Sequence, residues 1–241
     1  MTEPDRGGSL FGVSSARART ENARVKGAGA LPEDVRGRVL AAAVTLIAKD
    51  GLAALSMREV ARVAGVSHQA PYHYFEDRET ILAAIAEEGF IVLGARLEAA
   101  ADPDLAPAER FARLGRAYVD FALDNPALFR VMFRPDFVDA DRFPRVRSCG
   151  AQAFEILPAT VQACIAAGLA PEPSVEAIIV LGWSMAHGLA CLLLDGPLAL
   201  KLPELVKDRD VLVRDVMSAM QSMIEARTVE TRRKPRPARP R

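Results

Sequence analysis

Apolar side chains recur at three-and-four spacing along most of the chain, the period of a helix with one buried face. The first run is Val35, Val39, Ala42, Ala43, Leu46 and Ile47. It opens at Pro32, suited to a first helical turn, passes Glu33 and Asp34, whose charge favours a helix N-terminus, and stops at Gly51. A short second helix is predicted over 57–63, with Ser56 as its N-cap and Glu59 three residues on in a capping-box pattern. Ala64, Gly65 and Val66 then form a turn in which Gly65 can take positive φ. Ser67 offers a second N-cap, for a third short helix from 67 to about 75 that Pro71 keeps short. A long helix follows over 77–101, with Ile81, Leu82, Ile85, Phe90, Val92, Leu93 and Leu97 apolar. Further helices are predicted at about 107–124, 126–134, 142–168, 173–194 and 203–227, separated by Asn125-Pro126, Arg134-Pro135, Gly168 and Gly196-Pro197. The expectation is an all-α chain of eight or nine helices, without strands.

Two short helices joined by a three-residue turn with Gly make a helix-turn-helix. In the third helix Val66 and Phe75 face inward, while His68, Gln69, Tyr72, His73 and Tyr74 are candidates to reach outward. A major groove admits one α-helix, and polar side chains near its N-terminus can reach base edges. Gln69 suits a bidentate pairing with adenine, and the tyrosines can donate to phosphate or pack on thymine methyls. The Ser67 hydroxyl, with a helix N-terminus, can hold a phosphate, and Arg58 and Arg78 add charge at either side. The bland alternative is that these are ordinary surface residues of a helical domain.

Composition narrows the class. With 241 residues, one large domain or two small ones is expected. Half of the residues are hydrophobic and 26% are charged, so a real core is available. Formal charge is zero, which by itself names no partner. Residues 1–30 mix Gly, Ser, Ala and Arg and read as a flexible arm; its Arg17, Arg19, Arg24 and Lys26 can lie along a phosphate backbone or simply be solvated. The Arg/Pro-rich end, 228–241, reads as a disordered tail with the same two possibilities.

Cys149, Cys164 and Cys191 are few, odd in number and far apart, which supports neither a disulfide framework nor a zinc finger and fits a reducing cytosol; buried small hydrophobe is the role expected of each. No secretory signal is expected at the N-terminus. Residues 177–194 carry no formal charge and reach the minimum length of a membrane span, but Ser184, His187 and the flanking Glu176 and Asp195 favour a helix buried on all sides, as at a dimer interface.

Catalytic readings fail on context. Gly182-Trp183-Ser184-Met185-Ala186 comes within one residue of a nucleophile elbow, which needs a strand, a sharp turn and a helix where this stretch is continuous helix. His68, His73 and His187 lack metal-ligand spacing, and no phosphate-binding Gly loop is present. No enzyme, cofactor or metal is expected.

The segment LSMREVARVAGVSHQAPYHYFEDRETIL resembles the DNA-binding domain of the TetR family of bacterial transcriptional regulators, over about residues 35–95. Gly51, Val60-Ala61, Gly65-Val66-Ser67, Tyr72, Tyr74-Phe75 and Ile81-Leu82 stand in family order and spacing. The resemblance implies that Arg58, His68, Gln69, Ala70, Tyr72 and His73 face DNA, with Tyr74 and Arg78 near the phosphates. Tyr74 replaces the family's usual His and Arg78 its usual Lys, and both keep hydrogen-bond donors.

Further on, Leu181-Gly182-Trp183-Ser184-Met185-Ala186-His187-Gly188-Leu189-Ala190 and Asn125 to Phe133 are similar to the Trp-His-Gly C-terminal domain of one TetR subgroup. This implies a homodimer built through the helices at about 173–194 and 204–227, and an effector pocket within the others. Gly182, Ala186 and Gly188 allow the close helix approach such a dimer needs.

The expected organisation is a helix-turn-helix domain over 31–95 and a helical effector-binding and dimerisation domain over 96–227. The expected pocket residues are Phe90, Phe111, Tyr118, Phe121, Phe129, Met132, Phe133, Phe154, Trp183 and His187, large side chains on the middle helices. Aromatics at this spacing also simply fill cores. The function expected is a cytoplasmic, homodimeric repressor that grips a palindromic double-stranded operator and is released by a small, apolar effector. The alternative is a helical small-molecule-binding or membrane-surface protein without sequence-specific DNA binding.

Overall fold

A computed structural model describes residues 32–233 apart from 135, 137, 140 and 170–174. The basic arm and residues 234–241 of the tail lie outside the described residues. Among the described residues every element is helical: nine α-helices and two 3-10 turns. The chain divides into two compact units, Met1–Arg78 and Glu79–Arg241.

In the first unit, α1 (Pro32–Asp50) packs on α2 (Met57–Ala64), with a 3-10 turn at Leu52–Ala54 between them. Val39, Ala43, Ile47 and Val60 are completely or almost completely withdrawn from solvent. The start of α2 follows the capping expectation in part. The Ser56 hydroxyl accepts from the Glu59 backbone N–H at 3.2 Å, while the Glu59 carboxylate pairs with Arg62 at 2.8 Å, so the box is half formed. Its end is a left-handed cap: Gly65 has φ of 64°, and Val66 N–H returns to the Ala61 carbonyl at 3.1 Å.

The third helix of the motif is not an α-helix. Instead of 67–75, a 3-10 turn spans Ala70–His73, flanked by turns. Pro71 has no N–H to give to a preceding carbonyl, and the bonds through the turn run at three-residue spacing, Ala70 to Ser67 (3.0 Å), Tyr72 to Gln69 (3.1 Å) and Tyr74 to Pro71 (3.0 Å), with one four-residue bond, Phe75 to Pro71 (2.9 Å), at its end. The residue before the turn is Gln69, with no side-chain cap bond, so the expected N-cap and helix-terminal phosphate site at Ser67 are not formed.

The second unit comprises α3 (Arg78–Ala100), α4 (Pro107–Asp124), α5 (Pro126–Met132), α6 (Pro144–Ala166), α7 (Val175–Leu194), α8 (Pro197–Lys201) and α9 (Arg209–Arg233). Helix α4 is its hub and packs on α5, α6, α7 and α9. Prolines open α4, α5, α6 and α8, where a missing N–H costs nothing. The turn expected at Gly196-Pro197 therefore leads into a short helix.

The last helix starts at Arg209, later than the expected 203, because the Asp208 carboxylate accepts from Val211 N–H at 3.0 Å and caps it there. It continues to Arg233, beyond the expected end at 227 and into the stretch expected to be tail.

Helix α7 is not buried on all sides within the subunit. Gly182, Ala186, Leu189, Ala190 and Leu193 are covered, whereas Val180 and Leu181 are 58% and 60% exposed. It is long and apolar enough to cross a membrane by length and composition, yet Ser184 and the half-buried His187 interrupt it and one face is packed on α4.

Candidate DNA-reading edge and ligand chamber

The sharp 3-10 turn of the first unit sets its outward edge. Pro71 and Phe75 point into the core and are fully buried, and they fix the backbone between them. Ser67, His68, Gln69, Tyr72 and His73 are consequently exposed, Ala70 and Tyr74 are half-buried, and Arg58 is exposed on α2. Tyr72 keeps 45% of its surface free, with the His68 ring 6.0 Å from its own. The edge carries hydrogen-bond donors, acceptors and aromatic faces, the set that base edges and phosphates can use.

Two arginines brace this edge from behind. Arg38 of α1 donates through Nη2 to the carbonyls of Ala64 (2.6 Å) and Gly65 (3.0 Å), closing the end of α2 at the turn. Arg36 stacks its guanidinium 5.4 Å from the centre of the Phe75 ring. Sequence reading missed both, because each contact joins residues far apart in the chain. Arg78 is a correction. Expected beside phosphates, it is half-buried and donates to the Leu52 carbonyl at 2.6 Å, tying the end of the segment to the turn after α1.

The second unit holds an apolar chamber, open on one side, walled from α3, α4, α6, α7 and α9. Of the expected residues, Phe90, Phe111, Tyr118, Phe133, Phe154 and Trp183 line it. An adjoining, more open vestibule shares Phe90, Phe133, Gly150 and Trp183 and adds Met132, Ser184, His187 and Arg147. Aromatic edges interlock along the wall: Phe90 with Phe133 at 5.6 Å and Phe154 with Trp183 at 5.5 Å.

Two expected residues do not line either space. Phe121 is fully buried in α4 with the Arg96 guanidinium 5.9 Å from its ring, so it is core. Phe129 stands one layer behind, 5.2 Å from His187 and 5.9 Å from Tyr118 by ring centres. The small residues Gly150, Ala153 and Gly182, which open the space, carried no aromatic signal in the sequence.

One polar cluster interrupts the apolar wall. The Tyr118 hydroxyl lies 2.8 Å from His187 Nδ1 and accepts from Trp183 Nε1–H at 3.4 Å. Burial raises the Tyr118 phenol, the Trp183 bond opposing it, and burial lowers the His187 imidazole, so both groups are held neutral at pH 7. Cys164 and Cys191 are not activated thiols. Burial pushes Cys164 up to about 11, and burial with the nearby Asp195 raises Cys191. Only Cys164 is buried, Cys149 and Cys191 being half-exposed.

Comparison with known proteins follows the same division. The family model described as bacterial regulatory proteins, tetR family, matches residues 39–85, and that described as tetracyclin repressor-like, C-terminal domain, matches residues 111–220. Among solved structures, the chain is similar to a protein of unknown function from Rhodococcus sp. RHA1, with 31% identity and a TM-score of 0.63 over 80% of this chain and 94% of that one. It is also similar to a tetR-family bacterial regulatory protein from Rhodococcus RHA1 (23%, TM-score 0.65, 79% and 96%). A third likeness is to the TetR family transcriptional regulator PfmR from Thermus thermophilus (22%, TM-score 0.61, 78% and 97%). No curated protein matches the chain.

Proposed function

We propose a mechanism from the premise that the chain belongs to the TetR family of bacterial regulatory proteins and is a DNA-binding, ligand-responsive transcriptional regulator. In this reading it is a cytoplasmic homodimer that represses by occupying a palindromic operator. Gln69, Tyr72, His68 and His73 meet base edges, Ala70 offers a methyl contact, and Arg58 and Tyr74 meet phosphates. The observation that carries this is the exposure of Gln69 and Tyr72 on a turn whose Pro71 and Phe75 are completely buried. A reading edge so anchored presents its side chains from a backbone that needs no further ordering.

Dimerisation is supported by the apolar surface the subunit leaves uncovered. Val180, Leu181 and Leu192 of α7 and Met223 of α9 are exposed, Met223 to 68%. Large apolar side chains left exposed on two helices favour an interface, and a stable one buries roughly 800 Å² on each partner. Two-fold symmetry then pairs the reading edges and calls for a palindromic site. An effector in the chamber of the second unit would favour a dimer geometry in which those edges no longer match successive grooves.

The test is a titration of the full-length protein with palindromic DNA from beside its own gene and with random DNA, each at two salt concentrations. Tight binding confined to the palindrome, with a steep salt slope, is expected. Equal binding of both DNAs with a shallow slope contradicts the reading.

A further inference from the structure

The polar cluster at the chamber wall has a hydrogen count that restricts what the chamber takes. Neutral Tyr118, His187 and Trp183 carry three O–H or N–H hydrogens between them. Their two mutual bonds, Tyr118 with His187 and Trp183 with Tyr118, use two. One donor is therefore left over, whichever tautomer the imidazole adopts. A phenol is the better donor and an imidazole nitrogen the better acceptor, so Tyr118 O–H donates to Nδ1 and the surplus hydrogen sits on His187 Nε2. Trp183 donating to the same hydroxyl reinforces that direction.

The placement matches the count. Tyr118 is on the wall of the inner chamber, His187 on that of the vestibule, and Trp183 on both. With Nδ1 held by Tyr118, the Nε2 edge is the one His187 has to offer the vestibule. Among the described residues, no charged side chain lines the inner chamber. The cation that these residues give the vestibule, Arg147, pairs with Asp141 at 2.8 Å. A carboxylate entering the inner chamber would lose its water and find no cation on its wall, whereas an uncharged oxygen would find one unused N–H at its edge.

We infer that the ligand is an uncharged apolar molecule carrying a single hydrogen-bond acceptor, a ketone or ester carbonyl, which seats its oxygen on His187 Nε2–H and its hydrocarbon body among Phe90, Phe111, Phe154 and Trp183. This rests on the reading of the chamber as an effector site and adds the chemistry that the site selects.

Trp183 is the only tryptophan of the chain, so its fluorescence reports occupancy directly. The probes are benzylacetone, its hydrocarbon isostere isopentylbenzene and its carboxylate isostere hydrocinnamate, titrated into the full-length protein and into His187→Phe. The phenyl ring of the variant removes Nε2–H but leaves the Tyr118 hydroxyl without its acceptor on the chamber wall, so the double variant Tyr118→Phe with His187→Phe is titrated beside it.

Benzylacetone should bind the double variant about fivefold more weakly, the worth of one neutral hydrogen bond, with isopentylbenzene changed by less than about twofold. Hydrocinnamate should bind most weakly to the unaltered protein. Equal losses for the ketone and the hydrocarbon, or hydrocinnamate binding tightest, would overturn the inference while leaving the chamber in place as a binding site. If none of the three perturbs Trp183 in the unaltered protein, the chamber reading itself falls and takes the inference with it. Hydrocarbon binding retained by the double variant shows that it is folded.

Discussion

Gly182 of α7 lies so close to the Phe111 ring of α4 that a Cβ at position 182 would stand 2.5 Å from the ring's Cζ. The contact fixes the separation of two helices that also wall the chamber. A methyl group there must push the ring, and the ring has the chamber on its other side.

Gly182→Ala is therefore expected to destabilise the protein by about 1–3 kcal/mol, the usual cost of overpacking, despite the better helix propensity of alanine. It should also shrink the chamber as Phe111 yields. Denaturant unfolding measures the first effect and quenching of Trp183 by a bound hydrocarbon the second. Unchanged stability would mean the helices can separate freely.

Arg38 holds the two carbonyls where α2 meets its turn. Arg38→Ala should cost about 1–2 kcal/mol, since hydrogen bonds from a charged group are worth more than neutral ones, discounted here for partial exposure. Operator affinity should fall further than the unfolding midpoint suggests, because the turn that carries Gln69 and Tyr72 loosens. Hydrogen exchange at residues 64–74 checks this, with faster exchange expected there and none in α4.

Burial holds the His187 imidazole below its ordinary value of 6.5. In the window between its folded value and 6.5 the unfolded chain binds more protons than the folded one, so stability falls as the pH falls. The contribution is complete above about 6.5 and is lost as the pH drops through the folded value. Thermal unfolding at a series of pH values from about 7.5 to 5 should show this decline, and His187→Phe should flatten part of it. An identical pH slope in the variant would mean that other groups set it.

Much of this was legible in the sequence. Ser56, Gly65 and Gly51 are local signals, and local chemistry sets where α1 and α2 end. Periodicity placed α3, because one covered face is enough to define a helix, and turn signals at their ends bounded α4 and α7. The third helix departs from the expectation because Pro71, which an α-helix can tolerate in its first turn, here lacks the N–H that a longer helix needs and leaves only the tighter turn.

The start of α9 escaped because Asp208 is one acid among several, and only its bond to Val211 singles it out. For the chamber, aromatic content located the walls but could not separate Phe121, which points into the core, from Phe154, which is 41% exposed. The void depends on Gly150, Ala153 and Gly182, residues that contribute by being small. The Tyr118–His187 pair spans 69 positions and has no local signature.

The most direct test is a comparison of specific and nonspecific DNA affinity in Gln69→Ala and Tyr72→Ala, at one salt concentration, with the palindrome from beside the gene and a random duplex. Both side chains are exposed and neither has a role in the core, so folding should be unaffected. The expected result is a loss of about 1–3 kcal/mol on the palindrome, roughly 5- to 150-fold, with little change on random DNA. Equal losses on both duplexes, or none on either, would contradict base reading by this turn.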